Sequence, residues 1–503
     1  MRNLKLNHKT TILVLLAPII FIIFLYGGRD LFKNHYDDAY ITYRYAINLA
    51  SGKGMVFNVG EKTDAASSPL YTLILSVFYR IGLTDLELIS VSISILSASG
   101  IGFFVYKSIL FVTKKPYLAL FLSFVTALHG FISGWAVSGM ESLFYTFLIT
   151  FFVYQYYFKK RSSKLLLTLL MISILLTRIE SILLLVVWLF SEIYKILIVK
   201  EDNKKTFILQ TIIFLITILG LYLFQYKYYG SVLSNALQFK RIALYYQPNS
   251  LELFKIWGGT SLVIFLLAFL SFFLNKPRTL IPLYIYIFLS FISFTAGPYS
   301  DGARYSIHVF PSLVILSALA INDMIVSKKN KSIIIFLLVL VFLQTLLSSL
   351  VTRYYMISLK AGSECRRELG RYINGTLKSS DYVLSSDLGM IAYQAINSRF
   401  VDFAGLTSKD ILDHYQKKKS IDDILLYKRP KLLAGSFYLN DALITPKEIN
   451  RAKHTLLNND PLIVDMHTYT NLPFKTVFQN VLYQCSDEQR VYAIIDLKRL
   501  YLN

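Results

Sequence analysis

Long apolar runs, separated by short polar clusters, follow one another along the chain up to about residue 352. Each run holds roughly 16–25 residues, which is enough to cross a bilayer because an α-helix rises about 1.5 Å per residue. The runs lie at 11–27, 86–112, 116–134, 140–158, 164–178, 179–199, 206–226, 256–274, 279–297, 304–325 and 332–352. The pattern therefore predicts a polytopic α-helical membrane domain over residues 1–352, with about eleven transmembrane helices.

Residues 28–85, between the first two runs, contain two helical segments of a different kind. Residues 37–52 are amphipathic, rich in tyrosine and too polar to cross a membrane. Residues 68–83 are apolar enough to pass for a further span, but counting them would place the basic clusters at 114–115 and 159–161 on the outer side. We therefore predict that residues 28–85 form the first external loop, with both segments as interfacial helices.

Basic clusters between the apolar runs set the predicted orientation. They are Lys114 and Lys115; Lys159, Lys160 and Arg161; Lys204 and Lys205; Lys276 and Arg278; and Lys328, Lys329 and Lys331. With eleven spans, all of them lie on the same side as the N-terminus, as the positive-inside rule requires. The basic N-terminus precedes an apolar run without a small-residue cleavage site, so we expect a cytoplasmic N-terminus and an uncleaved signal anchor.

Beyond residue 353 the apolar runs give way to evenly spread charges and short β-rich stretches that alternate with helical ones. The β-rich stretches lie at 382–385, 400–403, 432–434 and 491–495. Residues 353–503 are therefore predicted to form a separate α/β domain, and an odd number of crossings places it on the extracytoplasmic side. Both cysteines, Cys365 and Cys485, fall in this tail. An oxidising compartment permits a disulfide between them, but the sequence leaves their distance open.

Composition agrees with the membrane class and removes one alternative. Hydrophobic residues make up 55% of the 503-residue chain, above the roughly 45–50% of soluble domains. The formal net charge is +21, which in a soluble chain would suggest nucleic acid as a partner. Here the Lys and Arg residues fall largely in short clusters between apolar runs, so we interpret the charge as membrane topology and predict no nucleic-acid partner.

Two adjacent acids, Asp37 and Asp38, follow the first apolar run and begin the first amphipathic segment. An acid pair at the water-facing mouth of a helical bundle is solvated, metal-bound or catalytic, because burying a carboxylate is costly. The simplest structural alternative is helix capping, since an Asp at this place is a good N-cap and suits the positive end of the helix dipole. The two roles are compatible, because capping keeps a carboxylate ionised.

An ordered set of short strings through most of the chain carries a family resemblance. The matching positions are 37–46 (Asp-Asp-Ala-Tyr-Ile-Thr-Tyr-Arg-Tyr-Ala), Asn48, Leu49, Gly52, Gly54, 56–58, 68–70, 138–141, 176–178, Glu180, 228–230, Leu233, Asn235, Arg304, Pro311, Asp387, Gly389, Ile391, Tyr393, Asp402, Gly405 and Leu406. They resemble bacterial GT-C glycosyltransferases, most of all the mycobacterial terminal arabinofuranosyltransferase group. Ile179 and Ser234 stand where that group has proline, and 297–301 replace its Gly-Gly-Asp run. The resemblance is therefore expected to predict the catalytic core of this chain better than its acceptor specificity.

The resemblance implies an inner-membrane enzyme that moves a sugar, arabinofuranose, from a polyprenyl-phosphate donor to an extracytoplasmic glycan or surface protein. It implies Asp37 as the general base, with Asp38 supporting it through orientation or a bound divalent cation. No organic cofactor is expected. The further residues predicted to bind substrate are Arg44, Glu141, Arg178, Glu180, Tyr229, Asn235, Lys240 and Arg304.

Seven of the eight predicted substrate-binding residues have a structural alternative. Arg304 at the end of a span can extend to water, and Lys240 can belong to a solvated face. Glu141, Arg178 and Glu180 can pair with one another. Tyr229 and Asn235 suit sugar hydroxyls but also loop turns.

Two other function classes remain open at this stage. A transporter or lipid flippase predicts inverted repeats and ionisable residues near the bilayer midplane, whereas the notable charges here gather at the outer ends of the spans. A non-catalytic envelope or motility-associated factor predicts that Asp37→Asn leaves cellular function intact.

Overall fold

The computed structural model describes residues 8–27, 35–159, 161–200, 203–242, 250–275, 278–295, 304–328, 330–360, 362–385, 387–402, 405–416, 421–437, 462–465, 475–478, 481–486 and 491–496. Fifteen α-helices make up the described part of the chain up to Lys360. They are α1 His8–Tyr26, α2 Asp37–Ala50, α3 Pro69–Arg80, α4 Leu86–Thr113, α5 Pro116–Leu128, α6 Gly130–Ser133, α7 Ser142–Val153, α8 Lys164–Thr177, α9 Ile182–Tyr194, α10 Lys204–Tyr229, α11 Asn235–Ile242, α12 Ser250–Asn275, α13 Ile281–Thr295, α14 Phe310–Val326 and α15 Lys331–Lys360.

The predicted class, a polytopic α-helical membrane protein, is confirmed. Every one of the eleven apolar runs coincides with a helix or with consecutive helical pieces. Within the described residues, seven helices are long and apolar enough to span a membrane, or eight if α5 and the 130–137 segment, bent by 51°, count as one broken span. The apolar helices α8 and α13 are shorter. Length and composition therefore support fewer spans than the eleven that the sequence predicts.

Helices α2 and α3 occupy the two segments predicted in the first loop. Asp37 and Asp38 stand in the first turn of α2, where the helix dipole favours negative charge, and Pro69 opens α3, where its missing N–H costs nothing. The N-cap position of α2 is Tyr36, so neither acid caps its own helix as the capping alternative supposes. Most of α2 is buried, because it packs between α3 and the tail.

The tail beyond α15 has the predicted α/β composition. Its elements are α16 Ser363–Thr376, β1 Tyr382–Ser385, α17 Met390–Gln394, β2 Arg399–Asp402, α18 Lys409–Tyr415, α19 Ile421–Lys428, β3 Leu432–Phe437, β4 Leu462–Asp465, β5 Lys475–Phe478, β6 Val481–Ser486 and β7 Val491–Asp496. Five strands form a mixed sheet in the order β2-β1-β3-β7-β6, parallel on both sides of β1 and antiparallel from β3 to β6, while β4 and β5 pair separately. Cys365 on α16 is disulfide-bonded, and Cys485 on β6 is the only other cysteine of the chain.

The tail packs directly on the first loop through a shared hydrophobic core. This core combines Tyr45 and Phe57 of the loop with Leu369, Ile391 and Phe400 of the tail. Hydrogen bonds add to it: the Nδ2 of Asn58 donates to the Phe400 carbonyl at 2.7 Å, and the Phe400 N–H donates to Asn58 Oδ1 at 2.9 Å. Loop and tail therefore form one packed unit on the helical bundle.

Candidate active site

A cavity of about 350 Å³ lies beside α2, bounded by the 64–69 segment and by the ends of α8, α10 and α11. Its described lining is mixed, with a charged part and an apolar wall. The charged side chains are Asp38, Asp64, Arg178, Glu180 and Arg304. The apolar wall includes Leu175, Leu221, Leu233, Leu237 and Leu406. A concave site with a few convergent polar groups on an apolar background is the usual form of a ligand-binding site.

Asp38 and Arg304 form one of the ion pairs in this cavity. Arg304 Nη1 lies 2.8 Å from Asp38 Oδ2. The guanidinium is buried and lies 5.1–5.4 Å from the rings of Tyr36 and Tyr305, whereas the Asp38 side chain is 45% exposed. A cation held by aromatic rings and one carboxylate keeps a fixed position, because its rotamer is limited by packing. The exposed carboxylate of Asp38 is accessible from the cavity.

Arg178 forms a second charged group, beside the same Tyr305 ring that Arg304 contacts. Its Nη1 lies 2.5 Å from Glu141 Oε1, and its Nη2 lies 2.9 Å from Glu180 Oε1. Arg178 and Glu180 line the cavity, but Glu141 lies buried behind them. The pairing that was the structural alternative for these three residues is therefore present, and it places two of them at the cavity surface.

Asp37 faces away from the cavity, towards the tail. Its Oδ2 accepts a hydrogen bond from the Gly389 N–H and its Oδ1 accepts one from the Met390 N–H, both at 2.9 Å. The carboxylate thus caps the start of α17, and Asp37 is not among the described residues that line the cavity. Burial first, and then the neighbouring carboxylate of Asp387, raise the pKa of Asp37 to about 7, although Arg366 opposes them. Both oxygens of Asp37, the predicted base, therefore contact the backbone of the tail.

Glycine at position 389 makes this contact possible. A Cβ atom there would collide with the backbone oxygen and the carboxylate of Asp37. The close approach of α2 and α17 thus depends on the missing side chain.

Arg44, about two turns further along the same face of α2, also binds the tail. Its guanidinium is buried and donates to the carbonyls of Phe57 at 2.8 Å, Ala395 at 3.1 Å and Ser398 at 2.6 Å, and to that of Ala392. Carbonyl groups left without donors would be costly inside a protein, so Arg44 stabilises the docked tail. Its position gives no support to the predicted substrate contact.

Tyr229, Asn235 and Lys240 have different positions relative to the cavity. Tyr229 donates its hydroxyl to the Met55 carbonyl at 2.9 Å and does not belong to the described cavity lining. Asn235 lies between lining residues, and its Nδ2 is a buried donor without a partner among the described groups. The side chain of Lys240 lies outside the described residues.

Asp64 is a cavity residue that the sequence analysis did not single out. It is buried, and Gln225 Nε2 donates to its Oδ2 at 3.2 Å. Burial raises the pKa of Asp64 to about 7, with the Gln225 hydrogen bond acting in the opposite direction. Tyr45 holds the backbone on both sides of it, because its hydroxyl donates to the Thr63 carbonyl at 2.5 Å and accepts from the Ala65 N–H at 3.0 Å. The available signal was an acid in a run of small residues directly before the Ser68-Pro69 match.

The arrangement brings together groups suited to transfer chemistry at a lipid phosphate. An accessible carboxylate can accept a proton, two guanidinium groups can bind a phosphate, and the apolar wall can hold a hydrocarbon chain. Within the described ranges, no three His, Cys, Asp or Glu side chains group as metal ligands.

Comparison with known proteins agrees with this fold. Residues 355–481 match the model of a domain of unknown function (DUF8728). No curated protein sequence matches the chain significantly. Two solved structures of ArnT from Cupriavidus metallidurans, one apo and one bound to undecaprenyl phosphate, superpose with a TM-score of 0.56 each. They are 11% and 12% identical in sequence, and the match covers 97% of this chain and 98% of theirs. At such low identity the likeness establishes a shared fold.

Proposed function

We propose that the protein is an integral-membrane glycosyltransferase of the GT-C type, which transfers a sugar from a polyprenyl-phosphate donor to an acceptor outside the cytoplasm. The observation that carries the proposal is the cavity in which the exposed carboxylate of Asp38 lies against the buried guanidinium of Arg304. The shared fold with ArnT, which binds undecaprenyl phosphate in one structure, supports a lipid phosphate as the leaving group.

In the proposed reaction, Asp38 accepts the proton of an acceptor hydroxyl as the oxygen attacks the anomeric carbon of the sugar. The bond from that carbon to the phosphate oxygen breaks, and the polyprenyl phosphate leaves with the electron pair. Arg304 and Arg178 stabilise the phosphate charge, since a guanidinium matches two phosphate oxygens at once. Asp38 takes the role predicted for Asp37 because both oxygens of Asp37 already accept backbone hydrogen bonds.

The sugar, acceptor and orientation are parts of the same proposal. Arabinofuranose is the first sugar to test, on the sequence resemblance, and the acceptor is a cell-envelope glycan or a surface protein. The disulfide of Cys365 supports an extracytoplasmic tail, because such bonds persist in oxidising compartments. We propose a cytoplasmic N-terminus on the positive-inside rule and the bacterial inner membrane on the sequence resemblance.

The test is transfer of labelled sugar from synthetic polyprenyl-phosphoryl arabinofuranose, and from other polyprenyl-phosphoryl sugars, to envelope acceptors by the purified full-length protein. We expect transfer by the wild type and a loss of about 10²–10⁴-fold in Asp38→Asn, the usual cost of removing a general base. If no donor supports sugar transfer to any acceptor preparation, the proposed glycosyltransferase function is rejected. Transfer by Asp38→Asn at the wild-type rate would keep the enzyme class but remove Asp38 as the base.

A further inference from the structure

A second concave surface lies where the first loop meets the tail. This surface, which we call the tail groove, encloses about 740 Å³ and is separate from the cavity of Asp38. The loop contributes Glu61, and the tail contributes Tyr382, Arg399, Asp423, Tyr427 and Lys428. None of these residues takes part in the proposed transfer step, so the groove needs an explanation of its own.

The tail groove and the cavity share their walls. Residues 60–63 line the groove and residues 64–67 line the cavity. On the tail side, Leu406 lines the cavity and Lys409 lines the groove. Asp64 is the third residue after Glu61, so their Cα atoms are at most about 11 Å apart. A flexible chain molecule held in the groove can therefore reach the cavity.

The floor of the groove is a fixed polar network. Glu61 accepts a hydrogen bond from the Tyr382 hydroxyl at 2.6 Å and pairs with Lys428 at 2.9 Å. Lys428 is itself buried. Although burial opposes it, the charge of Lys428 and the hydrogen bonds keep the pKa of Glu61 below its usual value. Such a network presents oxygen and nitrogen atoms in defined positions.

Arg399 supplies the clearest sign of a missing partner. Its Nη1 lies 3.4 Å from the Tyr382 hydroxyl, but its Nε is a buried donor with no hydrogen-bond partner among the described residues. A buried donor without an acceptor costs stability, so the Arg399 guanidinium keeps hydrogen-bonding capacity that the described residues leave unfilled.

The rim adds an aromatic face. Tyr427 of α19 is 85% exposed, and Asp423 stands one turn before it, so both lie on the same side of the helix. Basic and acidic groups of the groove nearly balance, with Lys62, Arg399, Lys409 and Lys428 against Glu61, Asp410 and Asp423. A nearly balanced charge in the groove disfavours binding of a polyanion or a polycation. Hydroxyl groups of a ligand suit such a groove, because they donate to carboxylates and accept from cations. An exposed tyrosine ring offers a flat apolar surface to the C–H face of a sugar.

We infer that the tail groove binds an uncharged oligosaccharide, the acceptor glycan of the transfer reaction. The role of this glycan as the acceptor rests on the proposed function, whereas its binding in the groove does not. In this proposal the tail positions the glycan so that its end reaches the cavity across the shared wall.

The test is binding of the full-length protein, in lipid nanodiscs, to an array of neutral and anionic oligosaccharides without any donor. We expect retention of neutral oligosaccharides and at least tenfold weaker binding by Tyr427→Ala. The matched control is Tyr117→Ala, because Tyr117 on α5 is equally exposed, at 87%, and lies outside the groove. Binding of no neutral glycan, preference for anionic glycans, or equal binding by Tyr427→Ala would overturn the inference.

Transfer kinetics separate this inference from the proposed function. With an active donor and a glycan acceptor, Tyr427→Ala should raise KM for the acceptor about tenfold and leave kcat nearly unchanged, the pattern of lost uniform binding. Glycan binding without transfer under any condition would reject the proposed glycosyltransferase function but support glycan binding in the tail groove. Transfer with an unchanged acceptor KM in Tyr427→Ala would reject glycan binding in the tail groove but support the glycosyltransferase function.

Discussion

The two faces of α2 differ sharply in what their side chains contact. Asp38, Ile41 and Thr42 line the cavity, whereas Asp37 and Arg44 bind backbone groups of the tail. The spacings follow the helical repeat, in which residues three or four apart share a face. One helix therefore forms a wall of the candidate active site on one side and anchors the tail on the other.

Two adjacent acids of the same type have different roles in this protein. Asp37 and Asp38 are neighbours of the same type, yet the oxygens of Asp37 accept two backbone N–H groups while Asp38 pairs with one guanidinium and stays exposed. A carboxylate has a limited number of acceptor positions, so the partners that occupy them decide whether it is available to a substrate.

The largest expected effect comes from making the same substitution at each of the two acids. Asp38→Asn should reduce the transfer rate about 10²–10⁴-fold, whereas Asp37→Asn should stay within about tenfold because an amide oxygen still accepts one of the two N–H bonds. The measurement is kcat at saturating donor, with circular dichroism to verify that both variants fold. A larger loss of transfer rate in Asp37→Asn than in Asp38→Asn would indicate that Asp37 is the base. The two faces of α2 would then not differ in the way proposed here.

Arg44→Met tests the anchoring face next. Loss of the guanidinium removes the donor to the Ala392 and Ser398 carbonyls of the tail, so we expect the free energy of unfolding of the docked tail to fall by about 3 kcal/mol. The measurements are thermal unfolding and protease cleavage between α15 and β1. The matched control is Arg80→Met, since Arg80 donates to a single carbonyl at an exposed site and should cost under about 0.5 kcal/mol. Equal losses would mean that Arg44 does not anchor the tail.

Gly389→Ala should have a smaller effect of the same kind. The added methyl group collides with Asp37, and forcing an extra carbon into a packed contact typically costs about 1–3 kcal/mol. The control is Gly375→Ala on α16, where a Cβ meets no atom within 4 Å and alanine favours the helix. A neutral Gly389→Ala would show that α2 and α17 approach less closely than the structure indicates.

On the cavity side, the stability of the fold should depend on pH through Asp64. Burial raises the native pKa of Asp64 to about 7, above the unfolded value of about 3.9, so the native state binds the proton more tightly. Its stabilising contribution is full below about pH 4 and is lost as pH rises through about 7. Asp64→Asn should flatten the change in melting temperature across this range, whereas the exposed control Asp423→Asn should not. An unchanged slope in Asp64→Asn would indicate that Asp64 is ionised throughout.

Much of the fold was predictable because the relevant signals are local. The apolar runs all coincide with helices, and β1 begins and ends where the tail sequence indicates. The number of transmembrane spans was harder to predict, since α8 and α13 are apolar but short. The length of an apolar run alone does not show whether its helix crosses the membrane. Asp64 was missed because an acid among small residues has no distinctive spacing, and its importance depends on burial and on Gln225, far away in the chain.

The sequence by itself determined the membrane class, the α/β character of the tail and the acids at the start of α2, because hydrophobic length and helix or strand period are properties of neighbouring residues. Only the tertiary structure decided which acid faces the cavity. That choice depends on Gly389 and Met390, which lie 352 and 353 positions beyond Asp37 and approach it only when the tail docks. A contact between such distant segments leaves no periodic trace in the chain, since it is made by packing and hydrogen bonds that form only in the folded molecule.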